Sequence, residues 1–231
     1  MKPIVILYSK WNIFSDSNPR LIIDGLSQNS SRILFSTLLN ENFQIIHQNK
    51  KFDTHLSLSE NDIDYIPASY NTITTKIHVN SNPDSMDSIL RQIESSAENE
   101  YKKVLILFSN VYNIYDKKIE SIFNALPSES EKIIIGTDRR DNVCYIGMSM
   151  PKKSNLNELK LENVSGEYLL KHFSNEEIEI LLQADSDICF DLTDVKTIYN
   201  KYKSTQQKFL GSYTHNLINH LTENYKNILQ S

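Results

Sequence analysis

Four aspartates and three arginines are the residues of this chain best suited to chemistry. Asp138 and Asp141 lie in Gly136-Thr137-Asp138-Arg139-Arg140-Asp141-Asn142, directly after the apolar run Ile133-Ile134-Ile135. Asp191 and Asp194 lie in Asp191-Leu192-Thr193-Asp194, after a second short apolar stretch. Carboxylates supply the hard oxygens that Mg²⁺ and Mn²⁺ take. Arg20, Arg139 and Arg140 supply paired donors that match phosphate oxygens without any metal. The alternative reading of both sets is solvated turn and cap residues, a role that aspartate favours. Other chemistries lack their residues. The six histidines form no His-x-x-x-His or His-x-x-Glu-His pattern, and His215 and His220 lie five apart on one predicted helix. No nucleophile elbow, Walker loop or G-x-G-x-x-G occurs.

The elements that must position these residues read as strands alternating with helices. Ile4 to Tyr8 is a continuous apolar run, the form of a central parallel strand, and it ends at Ser9-Lys10 in a polar loop reaching Arg20. Ser30 to Asn40 has helical spacing, with Ile33, Leu34 and Leu38 on one side. Phe43 to His47, Ile63 to Ile66 and Lys76 to Val79 read as strands. Asn82-Pro83-Asp84 opens a helix carrying Met86, Ile89, Leu90, Ile93 and Ala97. Val104 to Phe108, a helix over Lys117 to Leu126 and the Ile133 strand then form a β-α-β unit, which puts the loops after both strands on one edge of the sheet. Ser174-Asn175-Glu176-Glu177 is a capping-box pattern, predicting a helix with Ile178, Leu181 and Leu182. A short strand over Asp187 to Phe190, a helix over Asp194 to Tyr202 and a long amphipathic helix over Gln206 to Leu229 complete the reading.

Three stretches resemble the glycosyltransferase-A-like bacterial proteins related to phospholactate guanylyltransferases. After the first strand that family has Lys-Thr-Arg-Leu, and this chain has Asn18-Pro19-Arg20-Leu21. In the middle the family has a strand, Gly-Ser-Asp-x-Pro, a helix, a second strand and Gly-Pro-x-x-Asp-Gly-Gly-Tyr-x-Leu-x-Gly. Here Leu107-Phe108-Ser109-Asn110-Val111-Tyr112 stands for the first motif, and Gly136 and Gly147 are spaced like the outer glycines of the second. Asp191-Leu192-Thr193-Asp194-Val195 is similar to the family's Asp-Thr-x-x-Asp-Leu. Asn110 replaces the family's aspartate, and Arg140-Asp141-Asn142-Val143 replaces Asp-Gly-Gly-Tyr.

The resemblance implies one domain over residues 1–231, an α/β three-layer sandwich with a mostly parallel mixed sheet of the nucleotide-diphospho-sugar transferase kind. It implies a nucleotide or nucleotide-sugar as partner, bound at the carboxyl edge of the sheet by Ser9, Lys10, Arg20, Ser109, Asn110 and Arg140. Asp138 and Asp191 are then the expected ligands of Mg or Mn, with Asp141 and Asp191 as the catalytic carboxylates of a glycosyl- or nucleotidyl transfer. The alternative is a non-catalytic relative that keeps the scaffold for partner binding or assembly.

Composition narrows the class. A net charge of -5 and a pI near 5.7, with Lys and Arg dispersed, exclude a nucleic-acid footprint. Cys144 and Cys189 lie far apart in apolar contexts, as buried free thiols of a reducing compartment do. The N-terminal apolar run is too short for a secretion signal, so a cytoplasmic protein without a transmembrane segment is expected. Trp11, just after the first strand, reads as packing rather than as a platform for a base.

Overall fold

The computed structural model describes residues 2–14, 22–70, 75–81, 101–149, 164–174, 178–204 and 212–230. Arg20 and the helix expected after Asn82 lie outside these residues. The fold is a seven-stranded mixed sheet, mostly parallel and flanked by helices. Its strands are β1 (Ile4–Tyr8), β2 (Asp53–Ser59), β3 (Thr75–Asn80), β4 (Lys103–Phe108), β6 (Lys132–Thr137), β7 (Val143–Ser149) and β8 (Glu179–Gln183), in the order β3-β2-β1-β4-β7-β6-β8. Among the described strands of this sheet only β7 runs against its neighbours, β4 and β6. A two-stranded ribbon pairs β5 (Val111–Tyr112) with β9 (Asp187–Ile188). The helices are α1 (Gln28–Gln48), α2 (Asp116–Ala125), α3 (Gly166–Phe173), α4 (Leu192–Ser204) and α5 (Ser212–Gln230).

β1 and β4 are buried along nearly their whole length, which is why both read as uninterrupted apolar runs. The expected β-α-β unit is β4-α2-β6, with β7 inserted between its two strands, so β4 and β6 still point the same way. Gly147 on β7 lets α2 approach closely, since a Cβ there would sit 3.0 Å from Ile122. Among the described residues no helix is long and apolar enough to cross a membrane.

Three expected elements take another form. Phe43 to His47 is the last part of α1, because Phe43 and Ile46 continue at helical spacing the buried stripe of Leu34, Leu38 and Leu39. Ile63 to Ile66 is not a strand either, since Glu60–Tyr65 forms a 3-10 helix capped by Ser59. The second strand is instead Asp53–Ser59, whose polar His55 and Ser57 hide it from a hydrophobicity reading. Ile178, Leu181 and Leu182 do not lie in a helix. Residues 179–183 pair with β6 in parallel register, Ile133 with Ile180 and Ile134 with Leu181, and a short apolar run has no periodicity of its own to tell the two forms apart. Residues 175–177 of the capping-box pattern lie outside the described residues. Helix α3 has no counterpart among the expected elements. Lys76 to Val79 falls within β3, which pairs parallel with β2, and the expected helix over Asp194 to Tyr202 is α4. The last helix is described from Ser212, so the Gln206 to Gly211 part of that expectation lies outside the described residues.

Candidate functional site

The chain places β2 on one side of β1 and β4 on the other, so the strand order reverses between β1 and β4. In open α/β sheets the crevice outside the carboxyl ends at such a reversal is where ligands bind. Tyr8 lies level with Ser57 on β2 and with Phe108 on β4, so Ser9-Lys10 and Ser109-Asn110 leave the sheet side by side. The Ser9 N–H donates to Ser57 O at 2.9 Å, and the Ser109 N–H donates to Tyr8 O at 2.8 Å. The Ser9 hydroxyl donates to Trp11 O at 3.0 Å. Trp11 packs 6.0 Å from both Phe35 and Phe190, as a core residue.

Three side chains that the sequence does not mark hold this edge in place. Asn42 of α1 donates to Ser109 O at 3.1 Å and Val111 O at 2.8 Å, fixing the bend after β4. Asp62, fully buried in the 3-10 helix, accepts the N–H of Ile13 at 2.6 Å and of Phe14 at 2.8 Å, fixing the segment after β1. Asn80, at the end of β3, donates to the Tyr8 hydroxyl at 3.1 Å. Each is an isolated polar residue with no motif around it, so no sequence signal singles it out. Asn110 donates to Cys189 O at 2.9 Å, while its Oδ1 is buried without a hydrogen-bond partner, as is Oδ1 of Asn80.

The loop after β6 and the start of α4 meet at Arg140. Its Nη1 donates to Asp191 Oδ2 at 2.5 Å, its Nη2 to Asp194 Oδ2 at 2.7 Å and Oδ1 at 2.9 Å, and its Nε to Asp138 Oδ2 at 3.4 Å. Asp138 also accepts the N–H of Arg140 and of Asn142, each at 2.8 Å, and the Asn142 amide at 2.8 Å. Asp191 Oδ1 caps α4 by accepting from the N–H groups of Thr193 and Asp194, and Asp194 Oδ2 accepts from those of Phe190 and Asp191. The Asp194 hydrogen bond raises the Arg140 pKa further, so the guanidinium is charged at every working pH. Burial pushes the Asp191 carboxyl up, but the Asp194 N–H, Arg140 and the Thr193 N–H together hold it below the usual carboxylate range.

The structure therefore joins Asp138, Arg140, Asp191 and Asp194 in one cluster. Asn110 touches it through Cys189, two residues before Asp191. Asp141 turns elsewhere: with φ at 66°, its carboxylate accepts the Glu167 N–H at 3.0 Å, at the start of α3. Arg139 is exposed. Among the described residues no group of three or more His, Cys, Asp or Glu is arranged to hold a metal ion.

No family model matches this sequence, and no curated protein matches it. Solved structures do. A candidate nucleotide-diphospho-sugar transferase from Desulfovibrio desulfuricans G20 superposes with a TM-score of 0.77 at 12% identity, covering 96% of each chain. A mannose-1-phosphate geranyltransferase from Thermus thermophilus gives 0.57 at 11% identity, over 89% of this chain and 80% of that one. A 4-diphosphocytidyl-2C-methyl-D-erythritol synthase from Anaerococcus prevotii gives 0.54 at 14% identity, over 88% and 97%. The chain has the nucleotide-diphospho-sugar transferase fold. At these identities the likeness is one of fold alone.

Proposed function

We propose that this chain is a transferase-like protein that takes a nucleotide or nucleotide-sugar in the crevice at the carboxyl ends of β1 and β4. The observation that carries this reading is the reversal of strand order between those strands, which sets Ser9-Lys10 beside Ser109-Asn110. The diphosphocytidyl synthase among the fold neighbours supports a nucleotide as the ligand. Lys10, with Arg20 ten residues further along the chain, supplies positive charge to phosphates.

The Mg or Mn expected at Asp138 and Asp191 does not fit the donor set as it stands, because Arg140 and main-chain N–H groups hold the oxygens it would need. The same closure favours a second reading, ligand binding without catalysis, since Asp141 and Asp191 each commit an oxygen to a helix start.

A thermal-shift screen of UDP-, GDP-, CDP- and dTDP-sugars and nucleoside triphosphates, with EDTA, Mg²⁺ or Mn²⁺, tests the proposal. A shift with one nucleotide class whose apparent Kd Lys10→Ala raises about tenfold, the loss of one charged phosphate contact, supports it. Product analysis with that nucleotide separates transfer from binding alone. No shift under any condition refutes both readings.

A further inference from the structure

We infer that Arg140 is the resident cation of this edge, held by Asp194 and by Asp138 and Asp191, the two residues expected from the sequence to take a divalent ion. The three carboxylates come from two segments some fifty residues apart, and all three close on one guanidinium. The side chains of Asp138 and Asp194 are only 7% and 12% exposed, so their charges have little water to rely on. The two buried carboxylates need a cation and Arg140 supplies it, with the half-exposed Asp191 as a third partner.

One positive charge facing three negative ones leaves the cluster net negative. Main-chain N–H groups of Arg140, Asn142, Phe190 and Thr193 share the remainder. A net-negative cluster also repels phosphate, so Arg140 acts as an internal counterion rather than as the phosphate ligand expected from its sequence position. The oxygens facing the guanidinium include those of Asp138 and Asp191, the expected ligands of a divalent ion. Each of these oxygens already accepts from the guanidinium, at 2.5 to 3.4 Å, so an ion would have to expel a charged arginine to enter. The edge is therefore closed to a divalent ion as built.

The test is Mn²⁺ titration followed by electron paramagnetic resonance of the free ion, without nucleotide, so that it can fail independently of the proposed function. Wild-type protein is expected to leave the free Mn²⁺ signal unchanged. Arg140→Gln is expected to take up one Mn²⁺ with affinity higher by about tenfold or more, since no guanidinium must leave. Adding Asp191→Asn to that variant should remove the gain. Stoichiometric Mn²⁺ binding by the wild type that Asp191→Asn abolishes would overturn the inference, and so would an Arg140→Gln protein that is folded by circular dichroism and gains nothing. The wild-type measurement stands even where the variant does not fold.

Discussion

Replacing Asp62 with alanine should unfasten the segment that follows Ser9 and Lys10 out of the first strand. The carboxylate accepts two main-chain N–H groups, from Ile13 at 2.6 Å and Phe14 at 2.8 Å, and Ile13 is buried. A buried donor left without an acceptor costs about 1–3 kcal/mol. Phe14 is partly exposed and water can replace part of its bond, so the total should be about 2–4 kcal/mol. For a chain of this length each kcal/mol moves Tm by about 2–4 °C, which predicts a fall of about 4–16 °C. Asp62→Asn keeps one acceptor and should show about half the loss. If the segment opens locally, the same energy appears as exchange of the Ile13 and Phe14 amides faster by about 30-fold to 1,000-fold. Differential scanning fluorimetry and hydrogen exchange together decide it. A Tm within about 1 °C of wild type with unchanged exchange at both amides would refute the reasoning.

Gly136→Ala places a Cβ 2.0 Å from the Tyr145 ring, so urea unfolding should show a loss of about 1–3 kcal/mol or more, partly recovered when Tyr145 is made smaller in the same protein. Burial first, then His78 and Lys76, lower the His55 pKa to about 3, so its ring should show no NMR titration above about pH 4. Because the folded value lies below the unfolded one near 6.5, His55 should cost stability progressively as pH falls from about 6.5 toward 3. Burial raises the Glu41 pKa against the opposing effects of Tyr202 and Lys201, so its contribution is full at low pH and is lost as pH rises through the folded value; Glu41→Gln should flatten that fall in a Tm-against-pH series. Burial also raises the pKa of Cys144 and Cys189, so neither thiol should react with Ellman's reagent until urea unfolds the chain.

The central strands are legible because burial on both faces writes an unbroken apolar run: Ile4–Tyr8 and Lys103–Phe108 match their expected positions closely. The helix over Asp116–Ala125 is legible because Ile119, Ile122 and Phe123 face one way at helical spacing. Asp53–Ser59 escapes a sequence reading because buried His55 and Ser57 interrupt its apolar residues, and His55 finds its partner in His78, on the neighbouring strand and distant in sequence. Residues 179–183 read as a helix because only pairing with β6 makes them a strand. At the site, Asp138, Arg140 and Asp191 stand out by residue type, yet nothing local says that they hold one another.

By itself the sequence determines the alternation of strands and helices in its centre, the chemical types available at the sheet edge and the lack of a basic footprint. Those properties depend on periodicity and composition, which are local or additive. Tertiary structure decides the strand order, its reversal between β1 and β4 and the pairing of Arg140 with three aspartates. These depend on which distant segments pack together, and burial strengthens or cancels charges only once they do.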